Sequence, residues 1–178
     1  MKLVILDRDG VINYDSDAYI KSPDEWSAIP GSLEAIARLT RAGYTVAVAS
    51  NQSGLARGLF DQATLDRIHD KMNSAVAAAG GRIDAIFWCP HGPEDGCACR
   101  KPRAGLLRDI AGHYGVGLEK VPVIGDALRD LQAARKVGAR PILVRTGKGE
   151  TTVRHGEGLE GVPIYRDLAA AVDALLSE

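Results

Sequence analysis

The sequence predicts an α/β fold with an open, Rossmann-like parallel sheet covered by helices on both faces, in three layers. Short apolar runs rich in β-branched residues alternate along the chain with longer segments whose apolar residues recur every three or four positions. The runs are nearly continuously apolar, as expected of parallel strands buried on both faces. This alternation is typical of βαβ units, and we expect one domain over residues 1–178.

The first elements follow from these patterns and from capping signals. A strand at residues 3–6 ends in Asp7-Arg8-Asp9-Gly10, and the polar stretch 13–30 has no sustained period, which predicts a loop. Ser32 is predicted to cap the first helix, which Gly43 ends.

The later elements are predicted in the same way. Asp61 is the expected N-cap of the second helix, and Gly138 ends a later one. The remaining predicted elements are strands at 44–50, 85–88, 121–126, 141–144 and 162–165, and helices at 61–79, 106–114, 128–137 and 167–176. The glycine-rich, charged stretch 146–161 is assigned neither helix nor strand.

Composition argues against several kinds of partner. The chain is 46% hydrophobic and 25% charged, with a formal net charge of −1, so nucleic acid and anionic membranes are not expected as partners. No apolar run is long enough for a signal-peptide core or a membrane span, which predicts a cytoplasmic protein. We expect it to be a monomer.

Polar side chains follow several of the predicted strands. Asp7 and Asp9 follow the first strand, Ser50 and Asn51 the second, and Asp126 the fourth. The carboxyl ends of parallel strands share one edge of the sheet, so these groups should meet there. Strand alternation points Asp7 and Asp9 to the same side, where two negative charges call for a divalent cation.

These groups suit phosphoryl transfer. Asp7 is the candidate nucleophile, and Asp9 is the candidate acid that protonates the leaving oxygen and then activates water. Asp126 is a further Mg²⁺ ligand, and Ser50 and Lys101 are expected to contact the phosphate. Each motif alone is also compatible with a loop, a cap or an ordinary turn, but the four together favour catalysis. The histidines outside the cysteine segment are expected to be ordinary residues without partners: His69, His113 and His155.

A cysteine-rich loop at residues 89–99 predicts a structural zinc site. Cys89, His91, Cys97 and Cys99 supply four ligands of the kind that close a tetrahedral Zn²⁺ site. The alternative is a set of buried thiols beside an incidental histidine. A zinc ion here would hold the following Arg100 and Lys101 against the phosphate.

The motifs resemble those of the haloacid dehalogenase superfamily of phosphatases. They are Asp7-Arg8-Asp9-Gly10-Val11, Ser50-Asn51, Lys101, and Gly125-Asp126 through Asp130, in that order along the chain. The resemblance implies that Asp7 is the nucleophile, that Asp9 is the acid and base and also binds Mg²⁺ through its carbonyl, and that Asp126 binds Mg²⁺. Asp130 would be an outer partner of the site.

Within that superfamily, segments 7–10, 50–58, 89–102 and 144–147 look like those of the heptose bisphosphate phosphatases. This resemblance implies that there is no large cap domain, and that a small phosphorylated sugar loses its 7-phosphate on the route to ADP- or GDP-heptose. The departures are a compact zinc segment and Ser50 where threonine is common. The residues expected to contact substrate are Asp15, Tyr19, Ser50, Asn51, Gln52, Ser53, Arg57, Arg100 and Lys101, and the second phosphate could contact Arg57, Arg100 or Lys148.

Three alternatives remain open at this point. Histidinol-phosphate phosphatases resemble the chain in the same aspartates and zinc segment, but their substrate carries an amine in place of a second anion. A catalytically silent, zinc-stabilised binding protein would keep the fold without turnover. A phosphatase acting on nucleic-acid ends gains little support from the balanced charge.

Overall fold

The computed structural model describes residues 1–178 and contains one six-stranded sheet. The strands are β1 (Lys2–Leu6), β2 (Tyr44–Asn51), β3 (Ala85–Cys89), β4 (Pro122–Gly125), β5 (Arg140–Val144) and β6 (Ile164–Tyr165). They run parallel in the order β3-β2-β1-β4-β5-β6. The chain winds outward from β1 in both directions, so the crevice between β1 and β4 is the topological switch point, where ligands bind in such sheets.

Helices cover both faces, which confirms the predicted three-layer fold. They are α1 (Ser32–Arg41), α2 (Gln62–Ala78), α3 (Gly105–Tyr114), α4 (Leu128–Lys136), α5 (Gly149–His155) and α6 (Leu168–Leu176). Val4 and Leu6 of β1 pack in a core with α1, α2 and α6, whereas Leu3 and Ile5 pack on the opposite face with α3 and α4. None of the helices combines the length and the apolar character that crossing a membrane requires.

The structure corrects some local predictions. Gly31, with φ 88°, takes the N-cap position of α1. Ser32 lies within the helix, and its hydroxyl donates to the Val11 carbonyl at 2.8 Å. The stretch 146–161 contains α5, which is too short to show an apolar period, and a 3-10 helix at Pro23–Glu25 interrupts the predicted loop. The Asp61 cap is confirmed, since its carboxylate accepts from the Thr64 N–H at 2.8 Å.

Candidate active site

A polar cavity lies at the carboxyl edge of β1 and β4. Fifteen residues line it, of which two are hydrophobic. Eleven residues singled out from sequence are among them, including Asp7, Asp9, Asp15, Tyr19, Asn51, Gln52, Ser53, Arg57 and Arg100. Asp126 and Lys148 line it as well, while Ser50 and Lys101 are almost completely buried nearby.

Lys101 links Asp7, which follows β1, to Asp130, which lies in the helix after β4. Its Nζ donates to Asp7 Oδ1 at 3.1 Å, to Asp130 Oδ1 at 2.7 Å and to the Ala49 carbonyl at 2.8 Å. Burial opposes the charge of Lys101, but the carboxylates of Asp130 and Asp7 outweigh it and raise the pKa of the ammonium group. Lys101 is therefore a fixed positive charge beside the candidate nucleophile.

Asp130 holds the turn that presents Asp126. Its Oδ2 accepts hydrogen bonds from the backbone N–H groups of Asp126 and Ala127, at 3.1 and 3.0 Å. A side chain at Gly125 would overlap the Asp130 carboxylate, so glycine is required for this close approach. Both oxygens of Asp130 already have protein partners, and its contacts are those of a positioning group.

The donor set fits a divalent cation. Carboxylate oxygens of Asp7, Asp126 and Asp130 lie within 4.8 Å of one another, all buried, and Lys101 is the one cation that bonds to the group. Burial and the Asp130 charge raise the pKa of Asp7 to about 6. Burial and the Asp7 charge raise the pKa of Asp126 well above its usual range. Mg²⁺ prefers hard oxygen ligands, and the three carboxylates carry more negative charge than Lys101 balances. Asp7 and Asp126 each have an oxygen free to bind the ion.

The Asp9 side chain is held apart from this group. Its Oδ1 accepts from Arg8 Nε at 2.8 Å and from Asn13 Nδ2 at 2.9 Å, and its Oδ2 accepts from Gln52 Nε2 at 3.3 Å. Burial opposes the charge of Asp9, yet the Arg8 guanidinium and these hydrogen bonds lower its pKa overall. These contacts favour the ionised carboxylate and fix its orientation beside the acids that could bind a cation.

Residues at the end of β2 hydrogen-bond to both Asp9 and Lys101. Gln52 Nε2 donates to Ser50 Oγ at 2.7 Å as well as to Asp9, so one amide joins the first two motifs. Asn51 Nδ2 donates to the Lys101 carbonyl, and Asn51 Oδ1 accepts from the Lys101 backbone N–H. The Gln52–Asp9 contact connects residues 43 positions apart, and the Asn51–Lys101 contacts connect residues 50 positions apart.

The expectation that His69 has no partner is wrong. Arg8 is completely buried, and its Nη1 lies 3.1 Å from His69 Nε2 on α2. The His69 ring also packs at 5.7 Å from the Trp88 ring. Arg8 and His69 are 61 positions apart, so the residues next to His69 in the sequence give no sign of this contact.

The cysteine loop brings three thiols together. The sulfurs of Cys89, Cys97 and Cys99 lie within 4.8 Å of one another. Burial opposes the thiolate of Cys97, but hydrogen bonds from the Arg100 backbone and Cys89 lower its pKa to about 7. Three soft thiol ligands fit Zn²⁺. The structure does not bring His91 into this group: its half-exposed ring lies 3.9 Å from the Asp95 carboxylate.

Sequence reasoning missed Arg129, which lines the cavity with Arg57 and Arg100. Burial and the charges of Arg129 and Arg57 lower the pKa of Arg100, so these three guanidinium groups of the cavity lining, which we call the guanidinium wall, repel one another. The Arg129 Nε is buried without a partner. Its position in the first turn of α4, just after the strand end that carries Asp126, was the available signal, because that turn lies at the carboxyl edge of the sheet.

Comparison with known proteins gives consistent matches. A family model described as HAD-hydrolase-like matches residues 98–171. The D-glycero-beta-D-manno-heptose-1,7-bisphosphate 7-phosphatase of Bordetella bronchiseptica is 64% identical over 178 residues, covering 100% of this chain and 99% of that protein. The enzyme of the same name from Pseudomonas aeruginosa is 57% identical over 175 residues, covering 98% of this chain and 97% of that one.

Solved structures agree. The B. bronchiseptica D,D-heptose 1,7-bisphosphate phosphatase, complexed with magnesium and phosphate, superposes with a TM-score of 0.97 at 63% identity, covering 99% of both chains. The Burkholderia thailandensis D,D-heptose 1,7-bisphosphate phosphatase gives 0.80 at 49% identity, covering 100% of both. This chain therefore belongs to the family of D-glycero-beta-D-manno-heptose-1,7-bisphosphate 7-phosphatases, which are HAD-like phosphoric monoester hydrolases.

Proposed function

We propose that this chain removes the 7-phosphate of D-glycero-β-D-manno-heptose 1,7-bisphosphate in a Mg²⁺-dependent reaction. The observation that carries the proposal is the buried group of Asp7, Asp126 and Asp130 around Lys101, at the crevice between β1 and β4. The names of the relatives supply the substrate and the β anomer, and the route to ADP- or GDP-heptose remains our prediction.

The reaction has two steps. A carboxylate oxygen of Asp7 bonds to phosphorus while the bond from phosphorus to the sugar oxygen breaks, and Asp9 gives a proton to that oxygen. Asp9 then takes a proton from a water molecule, which attacks the aspartyl-phosphate, releases phosphate and restores Asp7. Mg²⁺ bound by Asp7, Asp126 and the Asp9 carbonyl would offset phosphoryl charge. The Lys101 ammonium group, which bonds to Asp7, would offset the same charge, and the Ser50 hydroxyl would donate to a phosphoryl oxygen.

The guanidinium wall favours a bisphosphate over histidinol phosphate. Burial is the largest cause that lowers the pKa of Arg100, and the charges of Arg129 and Arg57 lower it further, so the three guanidinium groups repel one another when no anion lies between them. A second phosphate would relieve that repulsion through charge-assisted hydrogen bonds. The ammonium group of histidinol phosphate would add a further positive charge beside the same wall.

We also propose a structural Zn²⁺ at Cys89, Cys97 and Cys99, with His91 as the fourth ligand. No position would then remain for water, so the ion would hold the loop rather than catalyse. The cysteines form no disulfide, which fits a cytoplasmic compartment. We also propose that the protein is a monomer.

Phosphate release in the presence of Mg²⁺ tests the proposal. The substrates are the β and α anomers of the heptose bisphosphate and histidinol phosphate, and Asp7→Asn is the matched control. We expect the highest kcat/KM on the β anomer and a loss of at least about 10³-fold in Asp7→Asn, because the nucleophile is removed. Preference for histidinol phosphate would overturn the substrate assignment, and no release from a broad phosphosugar panel would favour the silent binding protein.

A further inference from the structure

Two contacts in the protein interior link the candidate acid, Asp9, through Arg8 to His69 on α2. Arg8 lies between Asp7 and Asp9 in the sequence, but its side chain is completely buried and does not line the cavity. Its Nε donates to Asp9 Oδ1 at 2.8 Å, and its Nη1 lies 3.1 Å from His69 Nε2. The Arg8 Nη2 has no partner, so Asp9 and His69 are the side chains that orient this guanidinium.

The chemistry of arginine determines the form of His69. A guanidinium group can only donate hydrogen bonds, so His69 Nε2 must accept, which requires a neutral ring with its proton on Nδ1. The charged groups that act on His69 are Arg8, Asp9 and Asp66. Burial, followed by the Arg8 charge, lowers the pKa of His69 to about 4, so the ring stays neutral.

Replacing His69 with a residue that cannot accept a hydrogen bond would leave one end of the Arg8 side chain without a partner. Arg8 has four rotatable side-chain bonds, and its Nη1 would then be a second buried donor without a partner. The guanidinium would relax toward another acceptor, and Asp9 Oδ1 would lose the orientation of its strongest hydrogen bond. Proton transfer depends on sub-ångström placement of the acid near the leaving oxygen.

We infer that His69 is a positioning residue that acts through Arg8 to aim the Asp9 carboxyl group at the leaving oxygen. This inference rests on the proposed function, in which Asp9 is the acid. It extends that function by giving a positioning role to His69 on α2, which belongs to none of the four motifs. The effect should depend on how much the leaving group needs a proton.

Two substituted enzymes and two substrates test this role. His69→Phe keeps a ring beside Trp88 but removes the acceptor, whereas His69→Gln keeps an acceptor at similar reach. The substrates are the heptose bisphosphate, whose sugar oxygen must be protonated, and p-nitrophenyl phosphate, whose leaving group needs no proton. The kcat/KM values report the step in which the leaving group departs.

For His69→Phe, we expect kcat/KM on the bisphosphate to fall at least about tenfold, a fraction of the usual contribution of general acid catalysis. On p-nitrophenyl phosphate it should stay within about twofold, and His69→Gln should restore most of the loss on the bisphosphate. If His69→Phe fails to fold in a thermal melt, His69→Leu serves the same comparison.

Other results would overturn the inference. Equal losses on both substrates would reveal a merely structural role, and a His69→Gln variant as poor as His69→Phe would show that the acceptor is irrelevant. Both results require active wild-type protein and leave the proposed function intact. Wild-type protein without turnover on either substrate would instead overturn the proposed function, and this role with it.

Discussion

Asn51 and Lys101 form a reciprocal pair across the site. Asn51 Oδ1 accepts from the Lys101 backbone N–H at 3.0 Å, and Asn51 Nδ2 donates to the Lys101 carbonyl at 3.1 Å. The pair ties the end of β2 to the segment that follows the cysteine loop. The Lys101 side chain then reaches back past β2 to Asp7.

Replacing Asn51 with alanine should misplace Lys101. Both hydrogen bonds are lost, and we expect a stability loss of about 1–3 kcal/mol and a fall in kcat of at least about tenfold. Urea unfolding and steady-state kinetics measure the two effects. The control is Asn51→Asp, which keeps the acceptor but loses the donor, so its defect should be smaller in stability. Unchanged kcat in Asn51→Ala would contradict this role for the pair.

Lys101→Met should destabilise the protein as well as inactivate it. Asp7 and Asp130 would lose their buried cation, and removing one partner of such an ion pair costs about 3–5 kcal/mol. Unfolding in Mg²⁺-free buffer measures this loss. The control is the double variant Lys101→Met/Asp130→Asn, which should regain part of the stability but none of the activity, because the charge beside the nucleophile is still missing. A fully stable Lys101→Met protein would refute the ion-pair argument.

Stabilisation by Mg²⁺ should increase with pH. The pKa of Asp7 is raised from 3.8 to about 6, so the folded, metal-free protein binds more protons than the unfolded chain between these values. The contribution of Asp7 to stability therefore falls as pH rises through this window, and Mg²⁺ relieves the repulsion that remains above it. We expect a given Mg²⁺ concentration to raise Tm more at pH 7.5 than at pH 5.5.

Thermal melts at matched ionic strength check this dependence. Asp126→Asn removes one proposed ligand and should abolish most of the shift at both pH values. An equal Mg²⁺ shift at pH 5.5 and 7.5 in the unmodified protein would contradict the protonation argument.

Loss of zinc should reduce activity and stability together. Cys97→Ser, or chelation followed by restored Mg²⁺, should lower Tm by at least about 5 °C, the shift expected for a loss of about 2 kcal/mol in a domain of this size. Activity should fall because Arg100 and Lys101 follow the loop directly. His91→Ala should weaken zinc binding less than Cys97→Ser, since the three sulfurs already lie together. Full activity in protein shown by elemental analysis to be free of zinc would exclude this role.

Much of the fold and site could be predicted because the signals are local. Buried strands and amphipathic helices have distinct periods, and parallel strands bring their carboxyl ends to one edge. Asp7, Asp9 and Asp126 therefore lie at one cavity as predicted. Helix α5 and the cap of α1 could not be predicted so well, since seven residues show little period and Ser32 found a partner in Val11.

The sequence by itself determined which chemistry-bearing residues follow which strands, because strand ends and their polar residues are properties of short segments. Only the tertiary structure decided how those residues are paired. Asp130 has both oxygens occupied, Arg129 points into the cavity, and His69 meets Arg8. Such pairings depend on how helices and loops distant in sequence pack beside β1 and β4, and no local pattern encodes a distance between two side chains.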